Sequence, residues 1–232
     1  MTKILLVEDN ANLCYIIRSG LEDMIGGYEV TTANNGEEGI KLYKEQSPDV
    51  ILADIEMPIM NGFDMVAHIR EIDKTIPILF TSGCISPKFV VTGYKLGANN
   101  YIKKPFIPEE LDAHIKAVLK MSEGIKMRNE SDTLQIGPYK FDPKHGLLKS
   151  EEKTIHLTTR ESQILELLAK DKGDIVKRDT IERICWGKEK EGDFFTSRSL
   201  DVFIAHLRTY FKDVTGININ TIKGIGLSLT DK

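Results

Sequence analysis

Five short apolar runs, Ile4 to Val7, Val30 to Thr32, Val50 to Ala53, Ile76 to Phe80 and Asn100 to Ile102, recur with helix-length segments between them. Strands separated by helices cannot pair as tight hairpins. Each connection must cross over a sheet face, so the strands come out parallel and covered on both sides. The segment from Asn10 to Met24 opens with a capping-type Asn and places Leu13, Ile16, Ile17 and Leu21 three and four residues apart. Pro108, followed by Glu109 and Glu110, opens another helix through Leu111, Ile115, Val118 and Leu119. The expected fold is α/β, a doubly wound five-stranded parallel sheet ending near Lys120.

The polar stretch MSEGIKMRNESD, from Met121 to Asp132, has no apolar period. Residues 122–132 therefore read as a linker between a first domain, 1–121, and a second, 133–232. The second half changes character. Strand-like pieces at Leu134 to Phe141 and Gly146 to Leu157 precede helical patterns beginning at Thr158, Asp179 and Thr196, and a hairpin-like alternation closes the chain from Ile217 to Leu229. A small α+β domain is expected there.

Of the formal net charge of −4, residues 1–121 carry −5 (12 Lys and Arg against 17 Asp and Glu) and the remainder +1 (19 against 18). The asymmetry points to different partners for the halves, although +1 is a weak electrostatic sign of nucleic-acid binding. Cys14, Cys84 and Cys185 are odd in number and far apart, which argues for reduced packing residues over a disulfide framework or a zinc site. No apolar run approaches the roughly 20 residues that span a bilayer. The amino terminus lacks a signal peptide's layout, so a cytoplasmic location without membrane contact is expected.

In open parallel sheets ligands bind outside the carboxyl ends of the strands. Glu8 and Asp9 follow the first run, Asp54 ends the third, Thr81 and Ser82 end the fourth, and Lys104 with Pro105 follows the fifth. Singly, each has an ordinary reading as a solvated turn, a surface charge or a cap. Together they bring three carboxylates, a hydroxyl and an ammonium to one edge. Like charges about 5 Å apart repel by roughly 3 kcal/mol per pair at an effective dielectric near 20, so the cleft needs a cation. Oxygen-only donors favour a hard ion, and Mg²⁺ fits best, with Asp9 and Asp54 as direct ligands and Glu8 direct or through water. A carboxylate beside such an ion can attack phosphorus, which makes Asp54 the candidate nucleophile, Lys104 a second positive charge and Thr81 a hydrogen-bond donor to a phosphoryl oxygen.

The stretches KILLVED, DVILADIEMPIMNGFD, ILFTSG and GANNYIKKPF resemble the flavodoxin-like receiver domain of bacterial two-component response regulators over about 120 residues. The resemblance implies that Asp54 accepts phosphate from a histidine kinase, that Glu8 and Asp9 hold Mg²⁺ with the backbone carbonyl of Glu56, and that Thr81 and Tyr101 form a switch pair. Lys104 would contact the phosphate, and Pro105 stands where receivers have a cis proline. Asn99 and Asn100 replace the usual acidic pair, and His114 the usual Arg, on the face relatives use to dimerise.

In the second half, Thr158 and Glu161 have capping-box spacing at the head of a helix whose apolar stripe runs through Ile164, Leu165, Leu167 and Leu168. A second helix, from Thr196 to Phe211, places Leu200, Phe203, Ile204, Leu207 and Phe211 on one face. Arg198, Val202, Ala205, His206 and Thr209 fall opposite, with Asp201 and Arg208 at the flanks. That opposite face has the small, aliphatic and hydrogen-bonding character a major-groove reader needs; an ordinary surface helix or a protein-binding one is the alternative. Lys223, in TIKGIG, is expected at a hairpin tip facing a phosphate or a minor groove.

The stretches LTTRESQILELLAKDKGDIVKRDTI, CWG, RSLDVFIAHLR and NTIKGIGLSL are similar to the winged-helix effector domain of the OmpR/PhoB type. This implies base contacts from Val202, Ala205, His206 and Thr209, backbone contacts from Arg198 and Arg208, and a wing contact from Lys223. His206 stands where relatives often have Arg, and Lys223 where Arg is usual. The implied function is a transcription regulator that binds double-stranded DNA as a homodimer after phosphorylation, with RNA polymerase as a further partner. Three other readings stay open: a regulator that dimerises without phosphate, an adaptor whose second domain binds protein, and a Mg²⁺-dependent phosphatase. The last lacks the DxD that haloacid-type enzymes carry on their first strand.

Overall fold

Val50–Asp54, with the sequence VILAD, is buried at every residue, as a central parallel strand covered on both faces must be. A computed structural model describes residues 1–83, 86–126, 133–187 and 194–231, with the backbone alone described at 121–126, 194 and 195. Cys84 and part of the expected linker, 127–132, lie outside the described residues. The chain divides into two units, Met1–Met121 and Ser122–Lys232.

In the first unit, β1 (Thr2–Val7), β2 (Tyr28–Ala33), β3 (Val50–Asp54), β4 (Ile78–Ser82) and β5 (Asn100–Lys103) form a parallel sheet in the order β2-β1-β3-β4-β5. The helices are α1 (Ala11–Ser19), α2 (Gly36–Gln46), α3 (Gly62–Ile72), α4 (Pro87–Lys95) and α5 (Pro108–Lys126). The two-residue period of the strands splits the core in two. Ile4, Leu6, Val50, Leu52, Leu79 and Ile102 pack with Ile17 of α1 and Leu111 and Ile115 of α5. Leu5, Val7, Ile51, Ala53, Ile78 and Phe80 pack on the other face with Met65, Val66 and Ile69 of α3.

Asn10 caps α1 as its spacing foretold, its side chain accepting from the amides of Asn12 and Leu13. Two details differ from expectation. The helix expected to run to Met24 changes at Gly20 into a π-helical turn, Gly20–Ile25. Helix α5 continues to Lys126, past the end expected near Lys120, because its backbone can propagate through polar residues without an apolar stripe.

The second unit holds a four-stranded antiparallel sheet of β6 (Leu134–Ile136), β7 (Tyr139–Asp142), β8 (Leu147–Lys149) and β9 (Thr154–His156). Helices α6 (Thr159–Lys170), α7 (Arg178–Trp186) and α8 (Phe194–Phe211) follow, and β10 (Val176–Lys177), β12 (Gly226–Asp231) and β11 (Ile217–Ile222) make a second sheet in that order. Thr158 and Glu161 form the capping box their spacing announced. The two-residue β10 carries no pattern of its own. It pairs with β12 at Val176↔Leu227 and Lys177↔Gly226, and a Cβ at Gly226 would lie 2.2 Å from the Val176 carbonyl oxygen, so only glycine permits the approach.

The candidate phosphoacceptor pocket and the exposed strip of helix α8

Glu8 and Asp9 leave β1, and Asp54 ends β3, the neighbouring strand. One carboxylate oxygen from each of these three residues lies within 4.8 Å of the others. Lys104, after β5, completes the cluster: its Nζ is 2.6 Å from Glu8 Oε2 and 2.7 Å from Asp54 Oδ2. The second Asp54 oxygen, Oδ1, accepts from the Ile55 amide at 2.7 Å and from the Glu56 amide at 3.4 Å. Thr81 is in register with Asp54 on β4 and is 1 % exposed, and the Lys104 amide donates to the Ser82 carbonyl oxygen at 2.9 Å. The Lys104–Pro105 peptide is cis.

Burial strains this charge arrangement. Desolvation pushes the Glu8 carboxyl above its ordinary value, and the Asp54 charge adds to it, against the opposing hydrogen bond from Lys104. Burial alone would lower the Lys104 ammonium, but its bonds to Asp54 and Glu8 outweigh this and raise it. The Cys14 thiol donates to the Glu8 carbonyl oxygen at 3.3 Å and is pushed up to about 11, by burial first and the Glu8 charge second, so it remains a neutral packing group. The donor set is three carboxylates without nitrogen or sulfur, and the structure's own Lys104 ammonium occupies the place where positive charge is needed. A divalent metal with oxygen preference fits such a cluster.

Gly62, at the start of α3, sits against the backbone of Asp54 and Ile55. A Cβ there would lie 2.1 Å from the Asp54 carbonyl oxygen, while the Gly62 amide donates to Ile55. Tyr101, in register with Phe80 on β5, is half-buried and packs against the cluster that contains Phe80 and Ala98. Glu56 is exposed in the loop after β3.

In the second unit, α8 is held by α6, α7 and β11. Among its described side chains, Arg198, Asp201, Ala205, Arg208 and Thr209 are exposed, a strip at helical spacing. Asp201 pairs with Arg178 of α7 at 2.9 Å. Lys223 is exposed in the turn between β11 and β12. His206 lies at the strip's edge with its side chain 41 % exposed, its Nδ1 bonded to Glu161 Oε1 at 3.0 Å.

Residues 4–116 match the response regulator receiver domain, and residues 151–229 match the C-terminal domain of transcriptional regulatory proteins. The transcriptional regulatory protein RprY of Bacteroides fragilis is 35% identical over 227 residues, covering 98% of this chain and 94% of that protein. The chain belongs to the response regulators of the OmpR/PhoB type. The alkaline phosphatase synthesis transcriptional regulatory protein PhoP of Bacillus subtilis is 33% identical, with 99% of this chain and 97% of that protein covered. Among solved structures, the OmpR/PhoB homologue DrrB of Thermotoga maritima is 27% identical at a TM-score of 0.51, over 99% of both chains. A RitR point mutant shares the fold at a TM-score of 0.79 and 22% identity, over 100% of both chains.

In this response regulator the receiver brings Glu8, Asp9, Asp54, Thr81 and Lys104 to one sheet edge. Among the described residues no helix is long and apolar enough to cross a membrane. The effector domain corrects one expectation for α8. Val202, expected on the open face, is 9 % exposed. A helical wheel assumes one covered face, whereas α8 is gripped by three elements. Arg208, expected to hold a DNA backbone, is exposed and also donates through Nε and Nη2 to the Ile219 carbonyl oxygen at 2.9 and 2.7 Å and to Thr221 Oγ1 at 2.8 Å. It anchors the hairpin. Sequence reasoning also missed Arg178 as the partner of Asp201 and Glu161 as the partner of His206, since neither pair has any local spacing signal.

Proposed function

We propose that Asp54 is the phosphoacceptor of this response regulator and that its phosphorylation by a sensor histidine kinase controls sequence-specific binding to double-stranded DNA. The observation that carries the reading is the meeting of Glu8, Asp9 and Asp54 with the Lys104 ammonium between two of them. Glu8, Asp9, Asp54 and the Glu56 carbonyl would hold Mg²⁺, which when bound neutralises charge on the phosphoryl group. An Asp54 carboxylate oxygen forms the new bond to phosphorus as the P–N bond of a phosphohistidine breaks, and the electron pair leaves on the imidazole nitrogen.

Lys104 then exchanges part of its pairing with the Asp54 carboxylate for a phosphoryl oxygen, and the Thr81 hydroxyl donates to another. Moving Thr81 leaves space beside the half-buried Tyr101, which follows it and alters the outer face of β5. That altered face favours a homodimer, which sets two effector domains on adjacent half-sites in the cytoplasm and near RNA polymerase. The exposed Arg198, Ala205, Arg208 and Thr209, the edge residue His206 and the turn residue Lys223 face the DNA in this reading.

Incubating the protein with Mg²⁺ and a small phosphodonor should add one phosphate to the wild type and none to Asp54→Asn. Equal labelling of both would remove Asp54 from the role. Selection from a random duplex pool, with and without phosphodonor, tests the effector half.

A further inference from the structure

Glu161 belongs to α6, and its side chain is 2 % exposed, yet four donors converge on its carboxylate. Oε2 accepts from the Thr158 amide at 2.8 Å and the Thr158 hydroxyl at 2.9 Å, closing the capping box. Oε1 faces α8, meeting His206 Nδ1 at 3.0 Å and the Tyr210 hydroxyl at 3.1 Å. Burial would raise this carboxyl, but the bonds from His206 and Thr158 prevail and hold it below the usual range, so Glu161 is an anion.

An ionised carboxylate only accepts hydrogen bonds. The His206 nitrogen facing it must therefore carry the proton. A neutral imidazole has one N–H, so Nε2 is left bare as an acceptor, and among the described residues no group bonds it. Nδ1 is held by Glu161, and the Tyr210 ring stands beside the imidazole with ring centroids 6.3 Å apart.

We propose that Glu161 is a positioning residue that sets the tautomer of His206 and thereby makes this regulator favour a base bearing a major-groove amino group where His206 meets DNA. The proposal rests on the reading that α8 faces DNA. Adenine N6 and cytosine N4 present such donors; guanine O6 and thymine O4 are acceptors and would confront the bare Nε2 lone pair. Arginine could not do this, having donors only.

Two measurements on the full chain test it. Ring ¹H–¹⁵N spectra, recorded at a pH at which His206 carries a single ring proton by its own nitrogen signals, need no DNA. The wild type should show His206 protonated on Nδ1; a proton on Nε2 overturns the proposal. Glu161→Gln retains an oxygen for Thr158 and offers an amide N–H to Nδ1, so it should move the ring proton to Nε2. At the same pH, selection from a random duplex pool should find a base pair at which the wild type favours adenine or cytosine by about fivefold. That preference should invert toward guanine or thymine in Glu161→Gln and vanish in His206→Ala. Wild-type enrichment with a base preference that neither variant alters overturns this inference alone, while no enrichment by the wild type overturns the DNA reading and the inference with it.

Discussion

Lys104 Nζ stands 2.7 Å from Asp54 Oδ2, with the Lys104 side chain 19 % exposed and that of Asp54 9 %. The residue proposed to receive phosphate is thus held by an internal cation before any phosphate arrives. Removing one partner of a buried ion pair leaves an uncompensated charge. Lys104→Met should destabilise the receiver by about 3 kcal/mol without divalent metal. Added Mg²⁺ should recover part of this, giving a larger rise in Tm for the variant than for the wild type. Equal Mg²⁺ shifts in thermal denaturation would mean that the lysine does not share the metal's electrostatic role.

Glu8 carries a different consequence. Its folded-state carboxyl is raised, so the folded protein holds that proton more tightly than the unfolded chain, and the associated stability is present at low pH and lost as pH rises through the raised value. At neutral pH the Glu8 charge opposes folding. Glu8→Gln should raise Tm at neutral pH, with the gain shrinking below the carboxylate range, while Mg²⁺ affinity falls. A Glu8→Gln protein less stable than the wild type at pH 7 contradicts this.

Gly62→Ala places a methyl where 2.1 Å separates it from the Asp54 carbonyl oxygen, which is backbone and has little room to give. Overpacking of this kind costs about 1–3 kcal/mol, and the displaced end of β3 carries the Asp54 carboxylate. Both Tm and the rate of labelling by a small phosphodonor should drop. Unchanged labelling would show that the pocket tolerates the shift.

Lys223 is exposed in the β11–β12 turn and outside the core. Lys223→Ala should leave folding stability within about 0.5 kcal/mol of the wild type. The slope of log affinity against log salt should lose about 0.9, the share of one phosphate contact. An unaltered slope would take the turn away from the DNA backbone.

Val202 tests the corrected face of α8. At 9 % exposure it behaves as a packing residue, so Val202→Asn should destabilise the effector domain by about 1–3 kcal/mol through an unpartnered buried amide. Ala205→Ser, on the exposed strip, should leave stability unchanged, with both variants read by urea titration.

Much was legible along the chain because its signals are local. The Asn10 cap, the capping box of Thr158 and Glu161 and the strand runs each follow from a few neighbouring residues. The acidic cluster was legible as well, since strand ends in a parallel sheet share one edge whatever their distance in sequence. Val202 was misread because a wheel counts one covered face, and β10 was missed because two residues carry no period.

Residue type and spacing alone determined that five strands would lie parallel, that Glu8, Asp9, Asp54 and Lys104 would share an edge, and which helix would show a mixed polar strip. Three-dimensional packing decided the rest: that Lys104 bridges two of the carboxylates, that Arg208 grips the hairpin, and that Glu161 fixes His206 from 45 residues away. Periodicity is a property of one segment's backbone. Hydrogen-bond partners depend on where separate segments meet, and only the folded core sets that distance.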